Sequence, residues 1–140
     1  MSNIEWWILN NEVKNKNAME RKFDLNERLI DFAVMIIELY GEVTKSPAGI
    51  YLADHMMRAG ISPSLHYGEA QGAESRKDFI HKLGILIKEL REPLNAMNVI
   101  RKAKLVRTNE KCDNAVKECI ELISIFNKSI VTAKKNSEKK

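Results

Sequence analysis

Between Cys112 and Ala133, apolar residues recur at alternating steps of four and three: Cys112, Val116, Cys119, Ile123, Phe126, Ile130 and Ala133. Three heptads of that rhythm draw one apolar stripe along a helix, the pattern of a bundle member. Ile120 and Ile125 widen the stripe, and the lysines around it are expected to face solvent. Such a helix needs partners, and the rest of the chain is constrained to supply them.

From Asn26 to Val43 the same alternation runs through Leu29, Ala33, Ile36, Tyr40 and Val43, with Ile30 and Ile37 as its widening positions. The spacing predicts a second amphipathic helix. "TKSPAG" (44–49) then breaks it, because Pro47 disfavours helix at Ser46 and is itself suited to the first helical position. Ser75-x-x-Asp78 before an apolar run resembles a capping box with Asp for Glu, so another helix is expected to begin near Ser75. Its stripe is Phe79, Leu83, Leu86, Leu90, Pro93, Met97 and Ile100. The segment before it places Leu52, Met56, Ala59, Pro63, His66, Ala70 and Ala73 on one face.

Folding these two antiparallel about Glu74 sets Ala70 against Phe79, His66 against Leu83, and Ala59 against Leu90. Small residues then face large ones, as interdigitating layers require. The same register brings Arg58 near Glu89 and Glu92 as a rim ion pair. Pro63 and Pro93 each remove a backbone donor, so both helices are expected to be long and kinked. The fold class is all-α: an antiparallel up-down four-helix bundle over residues 24–134. A short N-terminal arm (1–23) precedes it and a basic tail (135–140) follows.

Composition agrees. The 140 residues suffice for one domain with a real core, and only six glycines and three prolines interrupt it. No apolar run approaches the roughly 20 residues that cross a bilayer, and the start lacks the features of a secretory signal. Cys112 and Cys119, seven apart on one helix, lie about 10 Å apart and cannot bridge. They read as reduced core residues of a cytoplasmic protein.

The stretch "SLHYGEAQGAESRKDF" (64–79) concentrates the residues that carry chemistry. Asp78-x-x-His81 and His66-x-x-Glu69 each pair potential metal ligands on a helical face, but the last helix offers no histidine, so no metal site is expected. Ser64 and His66 point about 200° apart on a helix, which defeats a nucleophile–base pair. Gly68-x-x-x-Gly72 lacks the strand and the Gly-Lys-Ser/Thr ending of a phosphate loop. With Ser64 these glycines form a flat strip, suited to receive another helix or another subunit, and His66 is expected to pack at least half-buried. The stretch reads as a joint; neither catalysis nor a cofactor is expected.

Charge is uneven. Residues 1–100 hold 12 Lys/Arg against 14 Asp/Glu, and residues 101–140 hold 11 against 5. "RKAKLVR" places Arg101, Lys102, Lys104 and Arg107 within seven positions. A concentrated cationic surface suits a polyanion; the competing reading is a solvated loop and a frayed tail. At the far end of the third helix, Arg76 and Lys77 are lesser candidates. The apolar hook Ile4, Trp6, Trp7, Ile8 and Leu9 has no evident place in the bundle and points to a protein partner.

Taken together, Arg58, Ser62, Pro63, Glu69, Ala70, Ser75, Asp78 and Phe79, with "LADHMMRAG" before them and "IHKLGILIKELRE" after, resemble the four-helix-bundle family of 23S rRNA intervening-sequence proteins. The resemblance covers about residues 24–134. The family's central Asn is His66 here, so no role transfers to that position, and Pro93 falls where the family pattern has an uninterrupted helix. The resemblance implies a bacterial homo-oligomer, typically a pentameric ring. It also implies kinship with the accessory proteins of diversity-generating retroelements, which associate with RNA or DNA and with a reverse transcriptase. It lends no catalytic residues.

The expectation is therefore a non-enzymatic oligomer that binds structured RNA or DNA through Arg101, Lys102, Lys104 and Arg107. Ring symmetry would repeat those charges, and phosphate contacts would lead over base readout. The alternative is an adaptor or scaffold for a nucleic-acid enzyme such as a reverse transcriptase.

Overall fold

In the computed structural model, which describes residues 24–138, four helices follow one another: α1 (Leu25–Tyr40), α2 (Pro47–Gln71), α3 (Arg76–Lys102) and α4 (Glu110–Glu138). Each helix packs on the next, and α1 closes the bundle against α4. Residue numbers run in opposite senses across each seam. The Cys112 and Cys119 thiols donate to the carbonyls of Met97 and Leu90, at 3.5 and 3.1 Å. Arg28 of α1 reaches Glu118 and Glu121 of α4, while Glu42, just past α1, pairs with Lys111 at the start of α4. The result is the up-down bundle that the apolar spacing predicts.

Local chemistry sets the helix starts. Asp24 caps α1 by accepting from the N–H groups of Asn26 and Glu27. Ser46 caps α2, with Pro47 at its first position. Ser75 caps α3 by accepting from the Asp78 N–H at 3.0 Å, and the Asp78 carboxylate reaches back to the Glu74 N–H. That is the capping box with its return bond shifted one residue outward. Helix α1 ends at Tyr40, three residues short of Val43, and Gly41 follows as its C-cap. Val43 instead forms an antiparallel bridge with Val106, and the Thr44 N–H donates to the Leu105 carbonyl at 2.7 Å. At the other terminus α4 runs to Glu138, past the boundary at 134, so the first residues of the basic tail are helical.

Neither proline interrupts its helix. α2 and α3 are continuous through Pro63 and Pro93, and both rings are buried. A proline that packs its ring into the core recovers in apolar contact part of what the missing hydrogen bond costs.

The stripes are largely buried as their spacing predicts, but Tyr40 of the α1 stripe is exposed, its hydroxyl donating to Asp54 at 2.9 Å, and the widening positions are not buried. In α1, Phe32 and Leu39 are fully buried. Ile30 and Ile37 face outward, Ile37 at 51% exposure. In α4, Ala115 and Leu122 lie inside, Ile120 is 53% exposed and Ile125 is half-buried. A 3.6-residue period fixes the centre of a stripe; which flank is covered depends on where the neighbouring helices sit. In α2, Tyr67 takes the inside position expected of His66 and packs its ring 5.9 Å from that of Phe126. Tyr51 is 70% exposed and stacks on His55.

A close helix approach also falls away from its expected place. A Cβ on Gly68 would meet nothing within 4 Å, so no helix of this chain packs against the strip there. A Cβ on Gly60 would lie 2.8 Å from the Ile36 side chain, so α1 and α2 meet there.

Candidate nucleic-acid interface

The two loops at one end of the bundle are tied together. Thr44 N–H to Leu105 carbonyl and the Val43–Val106 bridge join the α1–α2 loop to the α3–α4 loop, and both valines are buried. Lys104 and Arg107 therefore sit in a loop whose backbone is held by a partner distant in sequence. Lys102 closes the last turn of α3. Lys45, one residue from Thr44, joins them from the other loop. All four are exposed.

Two acids at this end have partners, while no salt bridge reaches Glu38 and Glu110 beside them among the described residues. Asp113 accepts from Arg101 at 3.0 Å, and Glu42 pairs with Lys111 at 3.6 Å. Among the described residues, no salt bridge reaches Lys45, Lys102, Lys104 or Arg107. This end thus carries four exposed cations free of salt bridges against two such acids, and stays net positive.

Arg101 stands apart from the cluster. Its Nη1 donates to Asp113 and its Nη2 to Asn98, so the guanidinium staples α3 to α4. Arg76 and Lys77 lie at the opposite end of the 27-residue α3, about 40 Å away. The six residues singled out in the sequence therefore divide three ways: three exposed cations in one cluster, one structural arginine, and two at the far end. Lys45 was missed because no local motif surrounds it. Only the pairing of two loops across the bundle brings it into the cluster.

The 64–79 stretch resolves as a joint with a polar rim. His66 Nδ1 lies 2.8 Å from Glu89 Oε2, and its side chain is 47% exposed. His55 approaches Glu92 at 4.0 Å. These two pairs occupy the rim expected of Arg58, which is exposed. The Ser64 hydroxyl donates to the Ile61 carbonyl of its own helix and aims at no base. Among the described residues, no three His, Cys, Asp or Glu side chains gather as metal ligands. Asp78 is engaged with Lys82 at 3.1 Å; that hydrogen bond, with the Glu74 N–H, holds its carboxyl below the usual carboxylate range. Burial pushes the Cys119 thiol up to about 12, which leaves it protonated and unreactive at neutral pH.

Apolar residues also reach the surface. Ile30, Val34 and Ile37, at i, i+4 and i+7, form an exposed stripe on α1. On α4, Ile120, Ile123, Asn127 and Val131 line an open groove of about 570 Å³. Among the described residues, no helix is long and apolar enough to cross a membrane. The Trp-bearing hook at 4–9 lies outside the described residues.

Comparison with known proteins agrees with this architecture. No protein of curated function matches the chain. A crystal structure at 1.70 Å of a protein of unknown function from the S23 ribosomal protein family of Bacteroides thetaiotaomicron VPI-5482 superposes with a TM-score of 0.67 at 26% identity. The match covers 75% of this chain and 96% of that one. Residues 21–128 match the model of the 23S rRNA-intervening sequence protein family, and the chain belongs to that family.

Proposed function

We propose that the protein is a non-enzymatic, oligomeric bundle that binds the phosphate backbone of structured RNA or DNA through its basic end. The observation that carries this reading is the cluster of Lys45, Lys102, Lys104 and Arg107, exposed about two tied loops while Asp113 and Glu42 nearby are neutralised by Arg101 and Lys111. Uncancelled cations on a fixed backbone attract a polyanion, and each phosphate they neutralise releases a counterion. The cluster contains no aromatic residue, so the contacts are to backbone and not to bases.

Two apolar surfaces support self-association. The α1 stripe and the α4 groove differ in shape and sit on different helices. A copy that presents one to its neighbour's other makes a head-to-tail contact, which closes into a ring when the rotation allows, a pentamer being the form the family suggests. A ring would repeat the basic end around one axis and multiply its field.

The second reading is a protein-binding adaptor for a nucleic-acid enzyme such as a reverse transcriptase, and the exposed Ile30, Val34 and Ile37 favour it. Titration of the pure protein, its mass checked by light scattering, into labelled RNA hairpin and duplex DNA tests the first reading. At about 50 mM salt binding is expected, and by about 200 mM it should fall by orders of magnitude. Absence of binding at the lower salt, with the protein folded, would remove the phosphate reading and turn the search to a protein partner.

A further inference from the structure

Helix α3 ends in a Schellman turn. The Leu105 N–H donates to the Ile100 carbonyl at 3.0 Å, and the Lys104 N–H to the Arg101 carbonyl at 3.1 Å. That turn requires its C′ residue to adopt the left-handed conformation, for which glycine is usual and asparagine the common substitute. Here C′ is Lys104, at φ 57°, the one non-glycine residue with positive φ among the described residues. A side chain there is strained, because its Cβ crowds the following carbonyl.

Nothing local offsets that strain. Lys104 is exposed, and among the described residues no salt bridge or side-chain hydrogen bond reaches its ammonium. The negative end of the α3 dipole is already met by Arg101 and Lys102 in the last turn. The turn alone would be better served by glycine. A residue held in an unfavourable conformation without structural return points to function.

We infer that Lys104, with Lys45 beside it on the tied loop, forms a cation pair that contacts backbone phosphates of the bound nucleic acid, and that Lys104 anchors the contact. This rests on the phosphate-binding reading above and assigns it a residue. Thr44 N–H to Leu105 carbonyl, together with the Val43–Val106 bridge, fixes the two backbones relative to each other before any ligand arrives. Only the lysine side chains need ordering on binding, which lowers its entropic cost.

The test separates stability from binding in one variant. Lys104→Gly is expected to melt about 3–5 °C higher than the parent, since the turn gains its preferred residue. The same variant should bind a labelled RNA hairpin about 5–10-fold more weakly at low salt. Its log–log salt slope should fall by about one, as loss of a single phosphate contact requires. Lys45→Ala is expected to lower the slope likewise, and Lys102→Ala, on the helix itself, to do less. A Lys104→Gly protein that melts lower than the parent would contradict the strain argument and overturn the inference. So would one that keeps full affinity and slope while the parent binds. If the parent itself fails to bind the hairpin at low salt, the phosphate reading falls and this inference falls with it; the two failures are thus told apart by the parent's titration.

Discussion

The two ends of α3 both carry cations, two in its first turn and four over 101–107, and hold them differently. At the first end, Arg76 and Lys77 sit in a turn that satisfies itself: Ser75 caps the helix, Asp78 reaches back to Glu74, and Lys82 answers Asp78. Every one of those bonds spans four residues or fewer. At the second end the chain leaves α3 through a strained Lys104 and is held by a loop some sixty residues away in sequence. Asp113 and Glu42 there are taken up by Arg101 and Lys111, and the remaining cations outnumber the unpaired Glu38 and Glu110. One end is a helix start stabilised by its own sequence; the other is a surface assembled by the fold. A charge run is informative only once its neighbours are known.

The difference can be broken most forcefully at glycine. A Cβ on Gly49 would fall 1.8 Å from the Thr44 carbonyl oxygen, on the loop that supports the basic end. Gly49→Ala should cost about 3 kcal/mol in chemical denaturation, because backbone would have to move. Gly72, at the opposite end, has room: its Cβ would come no nearer than 3.4 Å to the Gly68 carbonyl oxygen. Gly72→Ala is expected to stay within about 1 kcal/mol of the parent. Equal losses from the two would show that the loops at the basic end are no more tightly built than the turn opposite.

A smaller effect comes from the valine bridge. Val106→Ala removes buried methyl groups and should cost about 1–2 kcal/mol, with faster amide exchange at Thr44 as the loops loosen. Ser75→Ala should cost about 1 kcal/mol through loss of the cap, with RNA binding unchanged. The finest distinction is in pH. Asp78 has a carboxyl held below its ordinary value by the Lys82 hydrogen bond and the Glu74 N–H. Its contribution is therefore present above the unfolded-state value and lost as pH falls through the folded one. Denaturation of the parent and Asp78→Asn, followed from neutral pH down through the carboxylate range, should show a stability gap that closes in acid. A gap that stays constant with pH would mean that the carboxylate charge contributes nothing.

What was legible in the sequence follows the range of the forces involved. Ser75-x-x-Asp78 and Pro47 act within a few residues, and both helix starts lie where those residues place them. The apolar stripes identify four helices, because burial of one face is dictated by period. Contacts between helices were less legible. Either flank of the α1 stripe had apolar residues to offer, and only the position of α2 and α4 decides that Leu39 is inside and Ile37 outside. The same reason puts Tyr67 inward and His66 on the rim, and makes Gly60 the point of close approach to Ile36. At the basic end, the charge run was visible, whereas the pairing of Arg101 with Asp113 and the arrival of Lys45 depend on tertiary structure.

The end bearing the two tied loops, and not the other, is expected to meet a phosphate backbone. Two variants measured side by side test it: one with Lys45, Lys102, Lys104 and Arg107 changed to Gln, the other with Arg76 and Lys77 changed to Gln. Each is titrated into the same labelled RNA hairpin across a salt series. The first should lose about 100-fold or more in affinity at low salt and show a nearly flat salt slope, while the second keeps the parent's affinity to within about threefold. Parental affinity and slope in the first variant, or an equal loss in both, would contradict the account.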